Sequence, residues 1–170
     1  MPVRTIITNP HKTLRRKAKP VTDFGPELQR LVDDMVETMR EAPGVGLAAP
    51  QVNVSQRVIV VEYGDEDDEE APRKLYVFLN PEIHRPSKET LTGTEGCLSI
   101  PELVGDVERA QSVTVKGLTR RGQPQKLKAS GWLARIFQHE VDHVNGVLFI
   151  DRASRIYPIE DLEDGDETAF

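Results

Sequence analysis

The chain has 170 residues, with 28 Asp and Glu against 22 Lys and Arg, a formal net charge of −6. That length suits one domain whose core needs no covalent staple, and the single cysteine, Cys97, excludes an intramolecular disulfide and points to a reducing compartment. No apolar run approaches the roughly 20 residues of a membrane span, and the basic stretch Met1 to Lys19 lacks the apolar region of a secretory signal.

Pro26 to Ala42 reads as an amphipathic helix: Leu28, Leu31, Val32, Met35, Val36 and Met39 recur at helical spacing, and Pro26 suits its first turn. Pro43-Gly44 ends it. Gly44 to Gln51 follows, a run of small residues closed by an amide; it fits either the wall of a cleft or an ordinary turn. Arg57 to Glu62 and Leu75 to Leu79 are β-rich runs. They flank six consecutive acids, Asp65 to Glu70, which read as a loop between paired strands. Ser112 to Lys116 and Gln125 to Lys128 read as two further strands around a turn at Gln123-Pro124. Ser130 is placed to cap a helix over Gly131 to Val144, whose apolar face carries Trp132, Leu133, Ile136, Phe137 and Val141. Gly146 stops it, and Val147 to Ile150 reads as a short strand. Six more acids lie between Glu160 and Glu167, so residues 155–170 read as an acidic, mobile tail. Outside the two acidic runs, 16 acids face 22 Lys and Arg, and the body of the chain is basic. The fold class is α+β: short antiparallel sheets around one late helix, with an amphipathic helix before them.

That late helix carries Gln138-His139-Glu140-Val141-Asp142-His143. Histidines at i and i+4 lie one above the other on a helix, so both imidazoles reach one divalent ion. Glu140, beside the first of them, stays close to a water on that ion. The third ligand is open. A third histidine six residues after the second would define one protease class, but Phe149 stands there. Glu160 would define a zinc peptidase, although it sits in the polar tail. Cys97, in Glu95-Gly96-Cys97-Leu98-Ser99, is the other candidate, against the common role of a lone cysteine as a small buried hydrophobe. A structural metal or peptide-binding module is a further alternative, though it would need neither Glu140 nor Gln51.

Taken together, Gly44 to Gln51, Glu95 to Ser99 and Gln138 to His143 resemble, in order, the three motifs of the peptide deformylases, metal hydrolases that remove the formyl group from nascent N-formylmethionyl chains. The resemblance runs from about Leu14 to Asp151, within a chain that reads as one catalytic domain, 1–170. It implies metal ligation by Cys97, His139 and His143. It implies Glu140 as general base and then acid, with the Gln51 side chain and the Leu98 N–H as oxyanion donors. A Cys/His/His set by itself favours zinc. The resemblance implies ferrous iron, one per chain, with zinc or nickel as replacements in purified protein.

Glu95 and Arg109 stand where the family keeps an acid and a base, so they are expected to pair beside the cysteine loop. Asp142 is expected to hold a neighbouring backbone or basic group, and Ser99 to brace the loop. His11 and His84 read as surface histidines. The methionine pocket is expected beside the motif helix, from Val45, Gly46, Gly96, Trp132 and Ile136, with Arg135 an awkward neighbour there. Val104 stands where some members carry a substrate-orienting arginine. The C-terminus departs too: some members end in a basic ribosome-docking helix, whereas an acidic tail is repelled by ribosomal RNA. Weak ribosome contact would then fall to the basic body, with N-formylmethionyl nascent peptides as substrates and neither a membrane nor a specific nucleic acid as partner. A cytoplasmic location follows, or an organellar one after removal of a transit segment.

Overall fold

The computed structural model describes residues 2–64, 68 and 70–162. Most of the acidic run at 65–70 and the tail beyond Leu162 therefore lie outside the described residues. The expected helix is α1, Pro26–Glu41, with Pro26 in its first turn. Strands β1 (Gly46–Ala48), β2 (Val58–Tyr63) and β3 (Lys74–His84) follow, then β4 (Thr90–Cys97), β5 (Ile100–Ala110), β6 (Ser112–Leu118) and β7 (Pro124–Ser130). The motif helix is α2, Gly131–Val144. A short helix α3, Phe149–Arg152, and strand β8, Arg155–Pro158, complete the regular elements.

The strands form two antiparallel sheets, one of order β1-β2-β3-β6-β7 and one of order β4-β5-β8. Strand β2 shows why the larger sheet lies between two helices. Its side chains alternate between faces. Val58 and Val60 pack with Leu28, Leu31, Val32, Met35 and Met39 of α1. Ile59 and Val61 pack with Ala134, Ile136, Phe137, Val141 and Val144 of α2. A strand buried on both faces reads as a continuous apolar run, as Val-Ile-Val-Val does here. The opposite face of α2 meets the smaller sheet, beneath which Leu14, Ile100, Val107, Leu148 and Phe149 form a third cluster that includes Cys97.

Three local expectations are corrected. Ser130 holds the position before α2, but its side chain makes no capping hydrogen bond. Val147 to Ile150 does not form a strand; Phe149–Arg152 is a helical turn, because Leu148 N–H and the Asp151 carboxylate close it at 2.9 Å. Residues 155–158 of the expected tail are a strand, β8, paired with β5 over Leu103 to Asp106. The stop at Gly146 does hold, with a φ of 76° that favours glycine.

Candidate metal centre

Two elements with different geometry deliver the central residues. On α2 the four-residue spacing aligns Arg135, His139 and His143 along the face turned to the smaller sheet. On β4 the register shifts between Glu95 and Cys97, and Cys97 pairs with Ile100 across a turn made by Leu98 and Ser99. The hairpin brings the cysteine to the two histidines. The ligand atoms of Cys97, His139 and His143 all lie within 4.8 Å of one another, and all three residues are buried. Cys97 Sγ is 3.3 Å from His143 Nε2. The edges of a tetrahedral site with metal–sulfur and metal–nitrogen bonds of ordinary length run roughly 3.3–3.6 Å. Glu160, the alternative third ligand, is exposed in a 3-10 turn after β8 and is not part of this cluster.

The electrostatics fit a cation. Burial pushes the Cys97 thiol up to about 12, with the Glu140 carboxylate adding to the effect. Burial also pulls both histidines below their ordinary value, His143 the further. Neutral imidazoles are the form that ligates, and a nearby dication is what restores a thiolate. Among the described residues, Glu140 Oε1 and His143 Nδ1 are buried without a hydrogen-bond partner. Burial raises the Glu140 carboxyl well above the usual range, and the Glu95 charge raises it further.

Behind the ligands lies an ionic network that is buried around Glu95 and reaches the surface at Arg152. Glu95 Oε1 accepts from His139 Nδ1 and Arg109 Nη2, each at 2.9 Å, and Oε2 accepts from Arg109 Nε at 2.9 Å and Arg135 Nη1 at 2.7 Å. Burial alone would raise this carboxyl, but the bonds from His139 and Arg109 hold it far below the carboxylate range. Arg109 also reaches Asp142 at 2.7 Å, and Asp142 is gripped from the other side by Arg152 at 2.6 and 3.0 Å. Asp142 therefore holds two basic groups.

Gln51 is the third residue of a 3-10 turn, Ala49–Val52, directly after β1. Its Oε1 accepts from Ala48 N–H at 3.0 Å, which turns Nε2 toward Ser99 Oγ at 3.2 Å and Cys97 Sγ at 3.6 Å. Ser99 braces the loop a second time, its carbonyl accepting from Asn9 N–H at 2.9 Å. A small cavity opens onto the cluster, lined by Val45, Gly46, Gln51, Leu98, His139 and Glu140 among others. Gly96 is buried in β4 and does not line this cavity. Trp132 and Ile136 are not in this cavity. Ile136 is wholly buried in the core between α2 and the larger sheet. Trp132 lines a second, mostly apolar cavity of about 160 Å³ with Leu91, Thr92, Gly93 and Arg135. Val104 is buried in β5. His11 is exposed and caps the turn at Thr13, and His84 faces Glu82 at 3.1 Å. Sequence reasoning missed Arg135 and Arg152 as members of the ionic network. It also missed Phe149, whose ring stacks on His139 at 6.2 Å. The four-residue step back from His139 puts Arg135 on the ligand face of the helix but carries no sign of its burial.

A buried thiol and two imidazoles around one point, with a carboxylate on the adjoining helical position, define a metal-dependent hydrolase. The family model for polypeptide deformylase matches residues 3–158, and the chain belongs to that family. A peptide deformylase of Symbiobacterium thermophilum is 48% identical over 167 residues, covering 98% of this chain and 73% of the relative. The crystal structure of a Thermotoga maritima peptide deformylase superposes with a TM-score of 0.84 at 41% identity, covering 91% of this chain and 100% of that one. A class I type b peptide deformylase of Acinetobacter baumannii, solved with Met-Ala-Ser bound, gives 0.81 at 43% identity, over 88% of this chain and 98% of that one.

Proposed function

We propose that this protein hydrolyses the N-terminal formyl group from nascent N-formylmethionyl polypeptides, using ferrous iron held by Cys97, His139 and His143. The observation that carries the reading is the buried triad beside Glu140, whose Oε1 lacks a partner among the described residues. When bound there, a divalent cation lowers the pKa of a water and polarises a carbonyl oxygen. Zinc or nickel would be held by the same donors.

The chain's own residues account for the rest. Glu140 accepts the proton of the attacking water, a transfer favoured by the raised basicity that burial gives its carboxylate. The same carboxyl then returns a proton to the departing amine. Gln51 Nε2 carries two hydrogens. The one turned to Cys97 is long at 3.6 Å, and this is the donor a developing formyl oxyanion takes over. The Leu98 N–H, in the hairpin turn next to Cys97, supplies the second donor. Val45 and Gly46 line the approach with little side-chain bulk. The methionine side chain is assigned to the apolar cavity of Trp132, Leu91 and Gly93.

No helix among the described residues is long and apolar enough to cross a membrane. We place the protein in the cytoplasm, at the ribosome, in weak contact through exposed basic residues such as Lys12, Arg16, Lys17 and Lys19. Formate release from a formyl-Met peptide by anaerobically prepared, iron-loaded protein tests the activity. A folded, iron-loaded chain that released none would overturn it.

A further inference from the structure

We propose that Arg135 is a positioning residue of the metal centre, which fixes the His139 imidazole through Glu95, and that Gly93 is the opening in β4 that admits it. The inference rests on the triad as a metal site. Arg135 stands one helical turn before His139, with its side chain only 6% exposed. Its guanidinium makes three hydrogen bonds to three different groups. Nη1 donates to Glu95 Oε2 at 2.7 Å and to the Val107 carbonyl at 2.8 Å; Nη2 donates to the Leu91 carbonyl at 2.6 Å. The side chain thus joins α2 to both strands of the β4–β5 hairpin, where Gly93 pairs with Val107. The backbone at Gly93 lies under the guanidinium. A Cβ there would stand 2.9 Å from Arg135 Cζ and 3.1 Å from Nε and Nη2.

What Arg135 fixes is the orientation of Glu95. That carboxylate has four acceptor positions, and each is filled once: two by Arg109, one by His139, one by Arg135. Arg109 grips both oxygens from one side and is itself held to Asp142 at 2.7 Å, so a swing of the carboxylate has to carry that pair with it. The bond from Arg135, anchored on two strand carbonyls, stops that swing. Since Glu95 Oε1 holds His139 Nδ1, the direction of the opposite ring nitrogen follows. An aliphatic residue at 135 would fill the space yet leave Glu95, Val107 and Leu91 each one donor short. A lysine would restore the charge on Glu95 but not the fork across two strands.

The test titrates metal-free protein with Co(II), reading the d–d bands and the dissociation constant by chelator competition. It compares wild type with R135L, R135K and G93A. R135L is expected to weaken metal binding on the order of 10–100-fold and to shift the bands, with R135K recovering part of both. G93A, which keeps every atom of Arg135 but crowds its guanidinium, is expected to move affinity and spectrum in the same direction by less. On a formyl-Met peptide, R135L should lower kcat; KM does not carry the test, because Arg135 also lines the cavity assigned to the methionine side chain. A folded R135L with wild-type affinity and spectrum overturns the proposal. Should R135L fail to fold, unchanged affinity and bands in both R135K and G93A overturn it. The cobalt readouts do not depend on turnover, so a wild type that binds metal but releases no formate refutes the deformylase reading without touching this one.

Discussion

A Cβ on Gly46 would lie 2.6 Å from Oε2 of Glu140, so β1 and the motif helix meet there through a glycine and a carboxylate with no room for a methyl group. The carboxylate is seated against bare backbone, which limits where it can point. Gly46→Ala is therefore expected to displace Glu140 while leaving Cys97, His139 and His143 in place. A misplacement of that size costs on the order of 10²-fold in turnover. Kinetics combined with metal analysis check it: turnover should fall with one metal per chain retained. Full activity in the alanine variant would show that the seat of the carboxylate is immaterial.

Glu140→Gln tests the base itself. The amide is nearly isosteric and can occupy the same buried slot, but it cannot accept a proton from water. Metal content should stay at the wild-type level while kcat falls roughly 10²–10⁴-fold. Near-normal turnover in the metal-replete variant would remove Glu140 from the proton-transfer step.

The metal-free protein should show an unreactive cysteine. Burial, then the Glu140 charge, raises Cys97 to about 12, whereas an unfolded thiol titrates near roughly 8.5. At pH 8 the folded chain therefore holds far less thiolate than the unfolded one, and alkylation by iodoacetamide should be much slower in buffer than in urea. The sign also sets a stability trend. The folded thiol keeps its proton longer, so this group's contribution is complete below the unfolded pKa and is lost as pH rises through the folded one. Equal alkylation rates for folded and unfolded chains at pH 8 would show that Cys97 is not held protonated.

Local patterns were legible where one periodicity ran long enough. The stripe from Leu28 to Met39 specified α1 to within one residue, and the β-branched run at Val58 to Val61 specified β2. Strands β4 and β5 were not foreseen, because Thr90 to Cys97 is polar and glycine-containing, and the hairpin buries a charged pair, Glu95 of β4 and Arg109 of β5. For the same reason the burial of Arg135 was illegible: a lone arginine on an apolar helix face becomes a core residue here only because two distant strands offer a carboxylate and two carbonyls. Ile136 and Trp132, read as neighbours in one pocket, are four residues apart, near one face of α2 but a full turn apart along it, with Trp132 in the first turn. Ile136 enters the core and Trp132 the second cavity.

The core between α2 and the larger sheet should depend heavily on Phe137. The ring is fully buried and meets Tyr76 and Phe78 edge-on at 5.6 and 5.5 Å. Phe137→Ala removes those contacts and leaves a void that the sheet cannot close, a loss of about 3–5 kcal/mol. Urea unfolding of the metal-free chain, which keeps metal binding out of the comparison, should show a lower midpoint at unchanged slope. A shift worth under about 1 kcal/mol would mean that the site collapses around the smaller side chain.

Gln51 has two duties that substitutions can separate. Its Oε1 holds the Ala48 N–H and its Nε2 is turned to Ser99 and Cys97, so the amide both ties down its own turn and presents a donor to the site. Gln51→Glu keeps an acceptor for Ala48 but offers no donor, and it adds a negative charge where an oxyanion would form. Gln51→Leu loses both duties. Removing an oxyanion donor costs about 2.7–4 kcal/mol of transition-state stabilisation, so both variants should lower kcat on a formyl-Met peptide far more than they raise KM. Gln51→Leu should also be the less stable of the two, since Ala48 N–H is left buried without its partner. Leu98→Ala keeps the backbone donor and should be mild by comparison. If either Gln51 variant raised only KM, the amide would serve ground-state binding, and oxyanion stabilisation would rest on the Leu98 N–H and the metal.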